Sequence, residues 1–184
     1  MGSDDDDDSR LVARAQAGDA DAYAVLVERH QRTAVRLAHV VSGVPADAED
    51  IAQDAFVKGW HRLDRVREGA PFRPWLLAIV ANEARNRRRG RGRRDHYELV
   101  LATDRTGAAT PRRPDAAVEA EAERRTLLAA LRSLPVRQRE VVACRYLLEL
   151  SEAETAAVLG LAPGTVKSHL SRGLDRLRSE LDRD

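Results

Sequence analysis

The sequence predicts an all-α protein built as two small helical domains joined by a flexible linker. Three observations carry this. Only 4% of the 184 residues are aromatic, while Ala, Leu, Val and Arg dominate, which suits helices with slim interfaces better than a large sheet. No glycine-rich or β-branched strand block interrupts the chain. The polar stretch 103–115, TDRTGAATPRRPD, holds three helix breakers (Gly107, Pro111 and Pro114) and separates two regions of helical periodicity.

The elements follow from local signals. Met1 to Ser9 carries five consecutive aspartates. It reads as a solvated, disordered leader whose acids favour the start of the next helix; an acidic tail competing with DNA is the alternative. Arg10 to Ala17 forms a short helix ended by Gly18, and Asp19 caps a longer one. In that helix Tyr23, Leu26, Val27, His30, Val35, Leu37, Ala38 and Val41 fall near helical period, until Gly43 and Pro45 close it. Asp47 to Leu63 is two-faced, with Ile51, Ala52, Ala55, Phe56, Trp60 and Leu63 on an inner stripe. Asp47, Asp50 and Asp54 stand on another face beside Gln53. Acids stacked on one face are either a solvated surface or a docking surface for a basic or polar partner. Arg65 to Phe72 is a loop punctuated by Gly69 and Pro71. Pro74 opens a helix anchored by Trp75, Leu76, Ile79 and Val80, which runs on into an arginine cluster. Seven arginines lie within 85–94, and Gly90 and Gly92 are expected to make the tail of that cluster mobile.

After the linker, helical pattern resumes near Ala116 with Leu127, Leu128 and Leu131, and Arg137 to Leu148 forms another helix. Leu150 to Arg172 then reads as two short helices and a tight turn. Ser151 and Glu154 have the spacing of a capping box, with Ala153, Ala156, Ala157 and Leu159 as a thin apolar face and Gly160 as the stop. Pro163 suits the first turn of the second helix, where Val166, Leu170, Leu174 and Leu177 make a buried stripe. Its other face carries Thr165, Lys167, Ser168, His169, Ser171 and Arg172. A short helix crossing a cationic, hydroxyl-rich one is the helix-turn-helix arrangement that sets a recognition helix in a DNA major groove.

Charge sorts the same way. The formal net charge of +1 divides into −6 over residues 1–60, +8 over 61–113 and −1 over 114–184. An acidic start beside a basic middle points to one basic and one polyanionic partner. An apolar helix ending in clustered arginines looks like an element packed on a core while its end reaches phosphates. Cys144 stands alone in an apolar run, so it forms no internal disulfide and packs as a small core residue. The five histidines show no metal-ligand spacing with it or each other, and neither a phosphate loop nor a nucleophile motif occurs. An enzyme is thereby disfavoured, and no cofactor is expected. No apolar run is long enough for membrane insertion and no signal peptide opens the chain, which suggests a cytoplasmic protein.

The whole layout resembles a minimal bacterial sigma factor of the sigma-70 family, of the extracytoplasmic-function group. The likeness spans roughly residues 10–181 and rests on three motifs in order. DAEDIAQDAFVKGW looks like the helix that clamps the β′ coiled coil of RNA polymerase. FRPWLLAIVANEARNRRR looks like the melting and −10-reading helix. SLPVRQREVVACRYLLELSEAETAAVLGLAPGTVKSHLSRG looks like region 4, the −35 reader. The resemblance implies a leader at 1–9, region 2 at 10–94, a linker at 95–115 and region 4 at 116–184.

It also implies roles. Asp47, Asp50, Gln53 and Asp54 would face core polymerase. Arg65, Phe72 and Asn82 would shape a pocket for a flipped-out base of the −10 element, while Arg85, Asn86, Arg87 and Arg88 hold the opened DNA. Trp75 matches a family aromatic, with packing as its role. Gly164, Thr165, Lys167, Ser168, His169, Ser171 and Arg172 would meet the −35 element. The partners implied are core RNA polymerase (β′ coiled coil and β flap), promoter DNA and an anti-sigma factor. Two positions depart from the pattern: Ala162 stands where a capping serine is common, and His169 where an arginine is common. Region 3, the acidic region 1.1 and a further C-terminal domain are expected to be absent. A stand-alone helix-turn-helix regulator is the alternative, although it would need neither the acidic face nor a separate reader at 74–89.

Overall fold

The computed structural model describes residues 3–67, 69–98, 129–131 and 133–182. Among these the chain is helical, without a strand. The helices are α1 (Ser3–Gln16), α2 (Ala20–Ser42), α3 (Ala48–Trp60), α4 (Phe72–Glu98), α5 (Val136–Val142), α6 (Glu152–Leu159) and α7 (Pro163–Leu181). Short 3-10 turns, Pro45–Asp47 and Leu63–Arg65, lead into and out of α3. No helix among the described residues is long and apolar enough to cross a membrane. Residues 99–115 of the expected linker, and the helical pattern expected over 116–128, lie outside the described residues.

Caps behave as local chemistry dictates. The Asp19 carboxylate accepts the Ala22 N–H at 3.0 Å, and Gly43 closes α2 with a left-handed φ of 77° and a bond from its N–H to the His39 carbonyl. Two boundaries differ from expectation. Residues 3–9, expected as a disordered leader, form the first half of α1, because Asp7 and Asp8 find cationic partners on α2. Helix α4 begins at Phe72, two residues before Pro74, and passes Gly90 and Gly92 unbroken to Glu98. A helical glycine costs only about 1 kcal/mol relative to alanine, so arginine-rich flanks can carry the helix through.

The core of the first unit lies where α2, α3 and α4 meet, with Leu26, Leu37, Ala55, Leu76 and Val80 fully enclosed. Tyr23 threads between α2 and α3, donating its hydroxyl to the Phe56 carbonyl at 2.6 Å. A Cβ on Gly59 would stand 2.8 Å from that hydroxyl, so the two helices meet through a glycine. In the second unit α5 lies on α7 through a similar contact, where a Cβ on Gly173 would come within 2.9 Å of Val142. The expected helix Arg137–Leu148 is α only as far as Val142. Residues Ala143–Leu147 then widen into a π turn, closed by Leu148 N–H to Ala143 C=O at 3.1 Å. Glu149 takes a left-handed φ of 54°, a strain of about 1–2 kcal/mol for a side-chain-bearing residue.

The second unit is docked on the first. Val141, Cys144, Leu150, Val158, Leu159 and Val166 belong to the same buried cluster as the α1–α4 core. This explains α4, whose Leu76, Leu77, Val80, Ala81 and Ala84 are all fully buried, too many for one stripe. A helix apolar on nearly every side must be covered on nearly every side. Helix α6 also differs from expectation: Ala153 and Ala157 are exposed, and Thr155, Ala156, Val158 and Leu159 form the buried face.

Candidate polymerase and nucleic-acid surfaces

Helix α3 presents the acidic surface. Asp50, Gln53 and Asp54 are exposed, because they sit opposite Ile51, Ala52 and Ala55 on a helix whose inner side is filled. Asp47 does not join them. It lies in the 3-10 turn before α3, nine-tenths buried, with a carboxylate oxygen 2.6 Å from the Arg91 guanidinium of α4. Helical spacing placed it on the acidic face, but the helix starts one residue too late for that spacing to apply. Trp60 also departs from expectation: it is 36% exposed instead of lying on the inner stripe, with its ring centroid 5.0 Å from that of Tyr23. Together with Val57, which is 54% exposed, it lines an apolar groove between α2 and α3 that Val27, Val35 and Gln53 complete. Exposed apolar side chains beside acids suit a protein partner. The off-stripe position of Val57 was the available sequence signal.

The arginine run of α4 divides into two populations. Asn82, Asn86 and Arg89 are exposed, with Asn82 accepting from Arg85 at 3.1 Å and Asn86 from Arg89 at 2.7 Å. Arg87 reaches back to Asp54 of α3 at 3.5 Å. Arg85 is buried instead: its guanidinium donates to the Leu159 carbonyl of α6 at 3.3 Å and stands 3.7 Å from Glu140 of α5. Burial holds the Arg85 guanidinium below its ordinary pKa, against the pull of the nearby Glu140 carboxylate. Arg88 donates to the Val41 carbonyl at 2.9 Å and lies 3.5 Å from Glu140. Glu140 is fully enclosed and also accepts from Arg137 at 2.9 Å. Arg73 completes the seam by donating to the Leu148 carbonyl at 2.5 Å. Thus two arginines expected on DNA are engaged by the second unit. Nothing in the local sequence of Glu140 or Arg73 signalled their part in this.

The expected base pocket is likewise only partly open. Arg65 is exposed on its 3-10 turn, whereas Phe72 is 1% exposed, packed between His30 and Trp75 at ring distances of 5.4 and 5.6 Å. Phe72 backs the loop and offers no open face to a base in this packing.

Helices α6 and α7 form the helix-turn-helix. The Ser151 hydroxyl accepts the Glu154 N–H at 3.2 Å, and the Glu154 carboxylate accepts the Ser151 N–H at 2.7 Å, a complete capping box. Burial raises the Glu154 carboxyl, but the hydrogen bonds it accepts from the Ser151 side chain and backbone N–H, with the charges of Arg73 and Arg145, outweigh it and leave the group below its ordinary value. Gly160 ends α6 at φ 64°. Val166 and Leu177 bury α7 on α5 and α6, with Leu170 and Leu174 half-buried between them. Gly164, Lys167, Ser171 and Arg172 are therefore exposed, while Thr165, Ser168 and His169 are half-buried. Arg172 is preorganised by Ser168, donating to its carbonyl at 3.1 Å and its hydroxyl at 3.2 Å. Ala162 makes no side-chain cap; Pro163 carries no N–H and the Thr165 and Val166 N–H groups donate to the Ala162 carbonyl at 2.9 and 3.2 Å, so in the first turn of α7 it is the Gly164 N–H that stays open to a phosphate. Cys144 is enclosed, and burial pushes its thiol up to about 12.

Comparison with known proteins agrees with this division. Residues 26–94 match the family model described as Sigma-70 region 2, and residues 124–177 that described as Sigma-70, region 4. The chain is 32% identical to the RNA polymerase sigma factor CnrH of Cupriavidus metallidurans, over 98% of this chain and 97% of that one. The solved structure of CnrH in complex with the cytosolic domain of CnrY is similar at a TM-score of 0.71, covering 97% of this chain and 99% of that one. Identity to the ECF RNA polymerase sigma-E factor of Escherichia coli (strain K12) is also 32%, over 95% of this chain and 94% of the relative. The sigma factor RpoE of Bartonella quintana, solved with the anti-sigma factor NepR, is similar at a TM-score of 0.70 and 25% identity, covering 88% and 98% of the two chains. With both regions matched in order and relatives aligned over nearly their whole length, the chain belongs to the extracytoplasmic-function group of the sigma-70 family of RNA polymerase sigma factors.

Proposed function

We propose that this sigma factor docks on core RNA polymerase through Asp50, Gln53 and Asp54 and the neighbouring Val57–Trp60 groove, and then reads promoter DNA at two places. The acidic face, set apart from the recognition helix and flanked by exposed apolar side chains, is the observation that carries the reading. It suits the β′ coiled coil, with the second unit left for the β flap. Asn82, Asn86, Arg87 and the 65–72 loop serve the −10 element. Gly164, Thr165, Lys167, Ser168, His169, Ser171 and Arg172 serve the −35 element, with His169 giving a base preference that relatives do not dictate. Arg85 can join the −10 surface only when α5 and α6 leave α4, since Glu140 and the Leu159 carbonyl hold it in this packing, and Arg88 must leave the Val41 carbonyl of α2 as well as Glu140. Nucleotide addition belongs to the polymerase, and the chain works where polymerase does, in the cytoplasm. The complex of RpoE with NepR supports a regulator of that kind, an anti-sigma factor, for this chain.

The test is in vitro transcription with core polymerase on pooled promoter fragments, comparing the wild type with Asp50→Ala/Asp54→Ala. Transcripts that need the protein and weaken at least tenfold in the variant are expected. Binding of discrete DNA sites by the chain alone, with core polymerase never redirected, would replace this reading with that of a stand-alone helix-turn-helix regulator.

A further inference from the structure

The end of the aspartate run, Asp7 and Asp8, is built into the fold. Asp8 is 3% exposed, with one carboxylate oxygen 2.5 Å from Arg29 and the other 2.6 Å from Nε2 of His30. Arg29 is also held by Asp7 at 2.5 Å. His30, itself buried, turns its ring onto Phe72. Phe72 is where the 65–72 loop ends and α4 begins. At the loop's other end the Gln16 side-chain amide, also from α1, donates to the Leu63 carbonyl at 2.9 Å and the Val66 carbonyl at 3.0 Å. Between those anchors the backbone turns through Ala70 N–H to Arg67 C=O, and Arg67, Gly69 and Pro71 are exposed. Buried Val66 and Phe72 fix the loop's ends.

The geometry points to α1 as a brace for the −10-reading loop, with Asp8 (through His30 and Phe72) and Gln16 (through two backbone carbonyls) as positioning residues. A loop that must receive one unstacked base gains little shape from residues as exposed as Arg67, Gly69 and Pro71, and preorganisation of that shape sets base discrimination. The brace holds both ends from one rigid helix. It rests on the reading of residues 65–72 as part of the −10 reader.

The experiment uses holoenzyme assembled from core polymerase and the full chain, transcribing a promoter library randomised across the −10 element with the −35 element constant. Asp8→Asn and Gln16→Ala are compared with wild type, with Asp6→Asn (an exposed neighbour on α1) as the matched charge control and Arg65→Ala/Arg67→Ala as a direct loop variant. Asp8→Asn and Gln16→Ala are each expected to flatten −10 base preference about tenfold, while core-polymerase affinity and −35 preference stay within twofold and Asp6→Asn changes nothing. Loss of core affinity, −35 preference and −10 preference in parallel would reduce the brace to general folding support and overturn the proposal, as would unchanged −10 preference in both variants. If the Arg65→Ala/Arg67→Ala variant leaves −10 preference intact, the loop is not the reader and the proposal falls with it. A change there without one in the α1 variants removes the brace alone.

Discussion

Glu140 offers the sharpest test of how the two units are held together. Its carboxylate is fully enclosed and faces Arg137 at 2.9 Å, Arg88 at 3.5 Å and Arg85 at 3.7 Å. Glu140→Ala leaves the Arg85 side chain, 10% exposed, with its main counter-charge gone and two other guanidinium groups nearby. Removing one partner of a buried pair costs about 3–5 kcal/mol. The lower end applies here, because Oε1 of Glu140 and Nε of Arg85 make no hydrogen bond of their own and the seam lies partly open at Arg88. About 3 kcal/mol is on the order of a 100-fold shift toward the undocked arrangement. Glu140→Gln, which keeps the volume and removes only the charge, should give a smaller shift in the same direction. Dyes on Val25→Cys and Leu181→Cys, both exposed positions, report the separation of the units by energy transfer, and enclosed Cys144 stays unlabelled in the folded chain. Lower transfer efficiency in Glu140→Ala, partly reversed by Glu140→Ala/Arg85→Leu, is the expected result. Identical efficiency and unfolding midpoint in wild type and Glu140→Ala would show that apolar packing alone holds α5 and α6 on α4, and would refute the electrostatic argument.

Three smaller tests follow. Gly173→Ala drives a methyl to within 2.9 Å of Val142, so it should destabilise the second unit by about 1–3 kcal/mol in denaturant unfolding, where an ordinary helical glycine would gain from alanine. Ala162→Ser supplies the missing cap at a residue already in extended conformation (φ −71°, ψ 146°), and should raise stability by about 1 kcal/mol in a thermal melt. The folded Glu154 carboxyl lies below the ordinary 4.5, so its contribution is present above pH 4.5 and is lost as pH falls through the folded value. The stability gap between wild type and Glu154→Gln, measured in urea, should therefore be full at pH 7 and shrink as the pH is taken below 4.5; a gap that widened with acid would contradict the capping-box assignment.

What the sequence alone determined is what short-range chemistry determines. The Asp19 and Ser151 caps, the stops at Gly18, Gly43 and Gly160, and the exposed side of α7 all follow from groups within four residues of one another. Helical period and capping geometry need no knowledge of the rest of the chain. Only the tertiary structure decided which members of a charge run meet solvent. Arg85 and Arg88 look like Arg87 and Arg89 in sequence, yet they are held by Glu140 and by carbonyls from 41 and 159. Asp8 looks like Asp6, yet it is buried on His30, 22 residues away. A charge run states how much charge a segment carries, whereas its partners are set by which helix faces pack together. That packing depends on contacts such as those at Gly59 and Gly173, where the absence of a side chain lets two helices close.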